Sequence, residues 1–144
     1  MKNVWWIFAI MLFSLSDNWI AGEEREMIEG TWLPVEAELG GQPFPAEVLK
    51  TMKLLIQEGR YTAYVGEKLD KGTVKTDSST TPKAMDITGT EGPNQGRTFL
   101  AIYEIEDESM RICYDLSGTE RPTAFETKPD TQQFLVTYQR QNPN

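Results

Sequence analysis

Histidine is absent from this 144-residue chain, and Cys113 is its only cysteine. Without histidine there is no Ser-His-Asp or Cys-His relay and no imidazole general base. Zinc sites built on histidine or on several cysteines are excluded as well. A lone cysteine forms no intramolecular disulfide, so packing alone must hold the fold together. Cys113 lies in the strand-like run Met110–Tyr114. It reads as a small buried hydrophobe; the other reading, a reactive thiol or intermolecular bridge, lacks a histidine to generate thiolate. Positive charge is also scarce: 14 Lys and Arg stand against 22 Asp and Glu, a formal net charge of −8. The basic residues are scattered singly rather than gathered in a stripe, which removes nucleic acid as a partner.

Long apolar runs are missing too, with one exception. Val4–Phe13 is ten residues without a polar side chain, half of the ~20 that cross a bilayer. It follows Lys2 and precedes Ser14-Leu15-Ser16, the charged, apolar, small-residue order of a secretory signal. Residues 1–16 are read as a signal peptide, cleaved after Ser16 rather than after Ala21, and the protein as exported to the periplasm or secreted. The alternative is an uncleaved anchor. No cysteine follows the run, which argues against a lipid anchor. Cleavage would remove Lys2 and no acid, leaving the chain one unit more acidic and without a stable membrane span.

What is present is alternation. Residues 17–29 form a polar lead-in with Glu23, Glu24, Glu26 and Glu29. From Gly30 to Leu39, Leu33, Val35, Ala37 and Leu39 alternate with Glu36 and Glu38, the period of a half-buried strand. Pro45 and the spacing of Val48, Leu49 and Met52 predict a short helix over Ala46–Met52 that closes one end of a barrel. Strands are then expected at Lys53–Gln57, Arg60–Val65, Leu69–Thr76 (Gly72 as a bulge), Lys83–Thr88, Arg97–Ile105, Met110–Tyr114 and Phe134–Arg140. Eight regularly spaced strands joined by short reversals predict an all-β, eight-stranded antiparallel up-and-down barrel over residues 30–140, with a tail at 141–144.

Gly30-Thr31-Trp32 on the first strand, a short helix after it and Arg140 on the last strand resemble the lipocalin pattern. That resemblance implies that Trp32 plugs the barrel floor, with Arg140 packed across the indole and Gly30 in a structural role. A wider set of segments is similar to a family of small bacterial exported proteins of lipocalin-like architecture with no assigned activity. Those segments are Gly30–Glu38, Gly92–Thr98, Ile102–Glu104, Arg111–Tyr114 and Gly118–Phe125, within a resemblance running from Met27 to Arg140.

Three groups are candidates for function. Tyr61, Tyr64, Met85, Phe99, Tyr103, Met110 and Tyr114 are strand aromatics and methionines that either line a pocket for a small, mostly apolar ligand or fill the lumen completely. Arg121 and Phe125, in Glu120-Arg121-Pro122-Thr123-Ala124-Phe125, offer a loop contact in which Arg121 clamps a carboxylate or phosphate. The structural alternative has Phe125 capping the barrel and Arg121 paired with a local Glu. Glu104, Glu106, Asp107 and Glu108 read as a solvated turn, since the spacing lacks a calcium-loop signature. Paired-acid catalysis needs two carboxyls ~5–10 Å apart, and no spacing here shows them. The chain is therefore expected to be a non-enzymatic binding protein without a cofactor, or else a ligand-free interaction module that uses the Arg121–Phe125 loop.

Overall fold

A computed structural model describes residues 27–142. The segment expected to be a signal peptide and most of the lead-in lie outside these residues; Met27 and Ile28, at the end of the lead-in, are helical. Nine strands follow in chain order: β1 (Gly30–Leu39), β2 (Gln42–Pro43), β3 (Met52–Gln57), β4 (Arg60–Val65), β5 (Lys68–Asp77), β6 (Lys83–Glu91), β7 (Thr98–Glu106), β8 (Ser109–Asp115) and β9 (Gln133–Arg140). One four-residue helix, α1 (Ala46–Leu49), separates β2 from β3. Every strand pairing is antiparallel, and β1 pairs with both β3 and β9. The result is a closed eight-stranded up-and-down barrel, consistent with a lipocalin-like fold, with β2 as a two-residue appendage on β1. Closure leaves no long unpaired edge to recruit another chain. Among the described residues no helix is long and apolar enough to cross a membrane.

The expected alternation in β1 needs correction. Leu33 and Val35 are exposed, at 37% and 55%, whereas Trp32 and Ala37 are buried. A bulge explains this. Pro34 faces Tyr138 and Glu36 faces Thr137 on β9, so Val35 is an extra residue between them. One inserted residue reverses which side chains point inward. Trp32 and Pro34 before the bulge, and Ala37 after it, thus share the inner face. Pro34 has no N–H to give a ladder, and it sits where β1 has already parted from β3, beyond the last pair Trp32–Leu54.

The helix is also shorter than its apolar spacing suggests. It stops at Leu49, and Met52 already pairs with Val65 as the first residue of β3. Pro45 serves as the N-cap with an extended backbone rather than as the first helical residue. Val48 is 39% exposed, while Phe44 and Leu49 pack on the barrel core. Val48, Leu49 and Met52 fit a helical face by spacing, but the β3–β4 ladder takes the last of them.

One end of the barrel is sealed. Trp32 is fully buried, its indole N–H donates to the Ile28 carbonyl at 2.8 Å, and the Arg140 guanidinium lies 4.3 Å from the ring centroid. Arg140 also donates to the carbonyls of Met27 and Glu29, and pairs with Glu108 at 3.2 Å. The need for glycine at position 30 follows: its φ is +131°, and a Cβ there would come within 2.7 Å of the Arg140 guanidinium. Gly30, Trp32 and Arg140 are thus one device, tying the start of β1 to the end of β9.

After Leu116, which borders the barrel core, the 117–132 segment runs along the outside of the barrel wall. Its start is fixed by Asp115, which is only 6% exposed and accepts bonds from the backbone N–H groups of Ser117, Thr119 and Glu120 and from the Ser117 hydroxyl. Burial by itself pushes this carboxyl up, but the hydrogen bonds from Ser117, Glu120 and Thr119 outweigh it and hold the group below its ordinary value. A lowered folded-state value means that the stabilisation is complete above the unfolded value of ~4 and fades as pH falls through the folded one. Asp115→Asn is therefore expected to lower the urea midpoint at pH 7 by the equivalent of about 1–3 kcal/mol, with the gap between variant and parent closing below about pH 4. A gap that stays constant down to pH 2.5 would contradict the assignment.

Candidate functional site

The open end of the barrel leads into a cavity of about 160 Å³. Strand register decides which side chains reach it. Tyr61 and Ala63 on β4 share a face with Asp70, Gly72 and Val74 on β5, since Tyr61 lies opposite Gly72 and Ala63 opposite Asp70. Met85 and Ile87 on β6, Phe99 on β7, and Ile112 and Tyr114 on β8 complete the inner wall. Phe134 and Tyr138 come from β9, and Leu116 from the loop after β8.

Of the seven lining residues expected from sequence, Tyr61, Met85, Phe99 and Tyr114 border the cavity. Tyr64 borders it but lies on the opposite face of β4 from Tyr61 and Ala63, and its ring is covered by Lys53, whose Nζ is 4.9 Å from the centroid. Two residues three apart on a strand point to opposite sides, so Tyr61 and Tyr64 cannot both project inward. Tyr103 and Met110 are buried in the core, at 1% and 0%, but do not border the cavity. The lumen is thus filled toward its floor and hollow toward its mouth.

Several lining residues were not anticipated. Tyr138 is the most consequential, because its hydroxyl and that of Tyr114 are hydrogen-bonded at 2.9 Å. Burial, the largest cause, pushes Tyr138 up to about 12, and pushes Tyr114 well above the ordinary phenol value. Both phenols are neutral at physiological pH and present hydroxyls rather than charge. Tyr61 is likewise raised, first by burial and then by its bond to Asp70. At the mouth, Phe134 packs against Tyr114 and Phe44, with ring centroids 5.6 and 5.3 Å away. Asp70 accepts from the Tyr61 hydroxyl at 2.9 Å and from the side-chain and backbone N–H of Asn94 at 3.0 and 3.2 Å. The Gly92-Pro93-Asn94-Gln95-Gly96 turn was legible as a turn; its folding back onto Asp70 was not, because that contact joins residues 24 apart.

No family model, curated protein or solved structure matches the chain.

The Arg121–Phe125 loop lies on the outer wall, away from this cavity. Arg121 donates to the carbonyls of Met85 and Ala101, at 3.1 and 2.8 Å, and pairs with Asp86 at 2.6 Å. The expected local Glu partner is thus replaced by a residue 35 positions away. Phe125 does not cap the barrel: it packs under Arg111, 4.5 Å from the guanidinium, on the outward face of β8. Cys113, on the same outward face, is fully buried, and its thiol donates weakly to the Glu126 carbonyl at 3.5 Å. Burial is the largest cause raising its pKa, which leaves an inert thiol. The acidic turn is likewise engaged in structure, with Glu104 on Arg111 and Glu108 on Arg140.

Arg121 therefore straps the loop to β6 and β7. Arg121→Ala is expected to lower stability by about 1–2 kcal/mol, the value of bonds to a charged group discounted for partial exposure. Arg121→Lys recovers little, since an ammonium cannot reach three acceptors as a planar fork does. Urea denaturation of the two variants checks this; a neutral Arg121→Ala would free the side chain for a partner.

Proposed function

We propose that this is a lipocalin-like binding protein that holds one small, mostly apolar ligand in the open half of its barrel. The observation carrying this reading is the 160 Å³ cavity at the mouth, walled by Ile, Met, Phe and Tyr side chains on strands that close on themselves. Typical ligand pockets run from about 300 Å³ upward, so the occupant is smaller than a lipid or a drug-sized molecule. A dry apolar cavity of ~150 Å³ holds benzene or xenon, which sets the scale at one ring or a short branched chain. The closed floor makes the pocket single-ended, and the rigid wall supports a preformed site.

Toluene and xenon are the first probes. At a free ligand concentration roughly 100 times Kd, binding to the folded state alone adds about 2.7 kcal/mol, which a thermal melt reads as a rise of several degrees. Ala63 faces the cavity from the middle of β4, so Ala63→Phe is expected to abolish that rise in a variant still folded by circular dichroism. Unchanged melts with both probes, together with no small molecule recovered from extracted protein, would overturn the proposal. Export from the cell, expected from the first sixteen residues, belongs to the same reading and is checked by N-terminal sequencing of the exported product.

A further inference from the structure

The lining of the cavity is unbalanced in charge. Asp70 is its one acidic residue, on the face shared with Tyr61 and Ala63. The one basic side chain at its border, Lys53, is directed onto the outside of Tyr64. Among the described residues, no Lys or Arg forms an ion pair with Asp70. Its hydrogen bonds come instead from neutral donors, Tyr61 and Asn94. A carboxylate has about four lone-pair positions. Two bonds fall on Oδ2 and one on Oδ1, so Oδ1 keeps capacity for a further donor.

Aromatic rings share the cavity wall with this carboxylate. Tyr61, Phe99, Tyr114, Phe134 and Tyr138 all border the same space. Ring faces attract cations, and a desolvated cation gains more from them than an exposed one. The whole chain adds a field of the same sign, with a formal charge of −8, which draws cations toward a negative mouth and repels anions. An apolar hollow the size of one ring, aromatic walls and one carboxylate without a cationic partner form a complementary set.

Resting on the lumen reading above, we infer that the ligand is a small hydrophobic amine, with its apolar body in the cavity and its ammonium against Asp70 at the mouth. Neutral rings of the same size enter the same space but leave the carboxylate unused. Carboxylate-bearing rings are repelled by it.

The test compares benzylamine, toluene and benzoate by calorimetry and thermal shift at low salt, on the full chain and on Asp70→Asn. Benzylamine is expected to bind at least about tenfold more tightly than toluene, the contribution of one charge-assisted hydrogen bond. Benzoate is expected not to bind. Asp70→Asn retains an acceptor for Tyr61, and is expected to bring benzylamine down to the affinity that toluene has for the same variant. Should Asp70→Asn fail to fold, raising the salt on the parent protein serves instead, weakening benzylamine and leaving toluene alone. Toluene binding as well as benzylamine, or benzylamine indifferent to Asp70→Asn, overturns the amine assignment and leaves the lumen reading standing. No binding by either ring overturns both.

Discussion

Trp32→Ala is expected to destabilise the barrel by about 3–5 kcal/mol, the range for deleting a large aromatic from a packed core. The side chain is fully buried, and three kinds of contact depend on it. Its ring belongs to the buried core that also holds Ile28, Tyr103 and Met110. Its N–H satisfies the Ile28 carbonyl. Its face supports the Arg140 guanidinium, which is bonded in turn to Met27, Glu29 and Glu108. Removing the indole leaves a cavity and also loosens the seam where β1 meets β9, because Trp32 and Arg140 are direct neighbours in that ladder. Trp32→Phe separates the terms. It keeps an aromatic face and most of the volume, loses the hydrogen bond, and should cost about 1–3 kcal/mol. Urea unfolding followed by far-ultraviolet circular dichroism measures both without relying on tryptophan emission. A loss below about 1 kcal/mol for Trp32→Ala would mean that the floor is not a keystone.

The barrel was legible because its strands are short, regularly spaced and separated by turn residues, and because Gly30, Trp32 and Arg140 stand at its two ends. The glycine in that set has a steric reason visible only in three dimensions, the guanidinium against its α-carbon. Which side chains face inward was far less legible. Bulges at Val35 and between Lys71 and Gly72 each shift the ladder, and no local composition announces the exact residue at which a strand changes parity. Gly72 suggests a bulge in its own strand, but the extra residue is Thr90 on β6: Lys71 pairs with Glu91 and Gly72 with Gly89, while β5 runs in unbroken register against β4. The division of the lumen into packed floor and hollow mouth could not be read from residue types. Tyr103 and Tyr114 are both inward tyrosines, yet Tyr103 is buried away from the cavity and Tyr114 borders it. That difference depends on height along the barrel, which the register of all eight strands sets together. The partnership of Asp70 and Asn94 is not legible locally, because it joins the start of β5 to the turn after β6, 24 residues on.

Gly72 brings stability and binding to a single position. It lies opposite Tyr61 on β4 and opposite Gly89 on β6, at the bulge. Its restriction is one of space: an added Cβ would sit 1.9 Å from the Thr88 carbonyl oxygen and 2.6 Å from Cε1 of Tyr61. The first contact is with backbone in a ladder and has nowhere to go. The second pushes the Tyr61 ring from the wall toward the cavity it borders. Gly72→Ala is therefore expected to cost about 2–4 kcal/mol through strain in a packed strand, and to abolish toluene binding at temperatures where the variant is still folded. Gly66→Ala is the fitting control. Gly66, unlike Gly72, has a left-handed backbone, with φ +64°, and nothing lies within 4 Å of its missing Cβ. Its cost should stay near 1 kcal/mol, the backbone penalty alone, with binding intact. The two variants thus separate a glycine required by backbone shape from one required by crowding, and only the crowded one should affect the pocket. Equal losses from both, or a Gly72→Ala protein that binds toluene as the parent does, would show that Tyr61 is not held in place by the absence of that single methyl group.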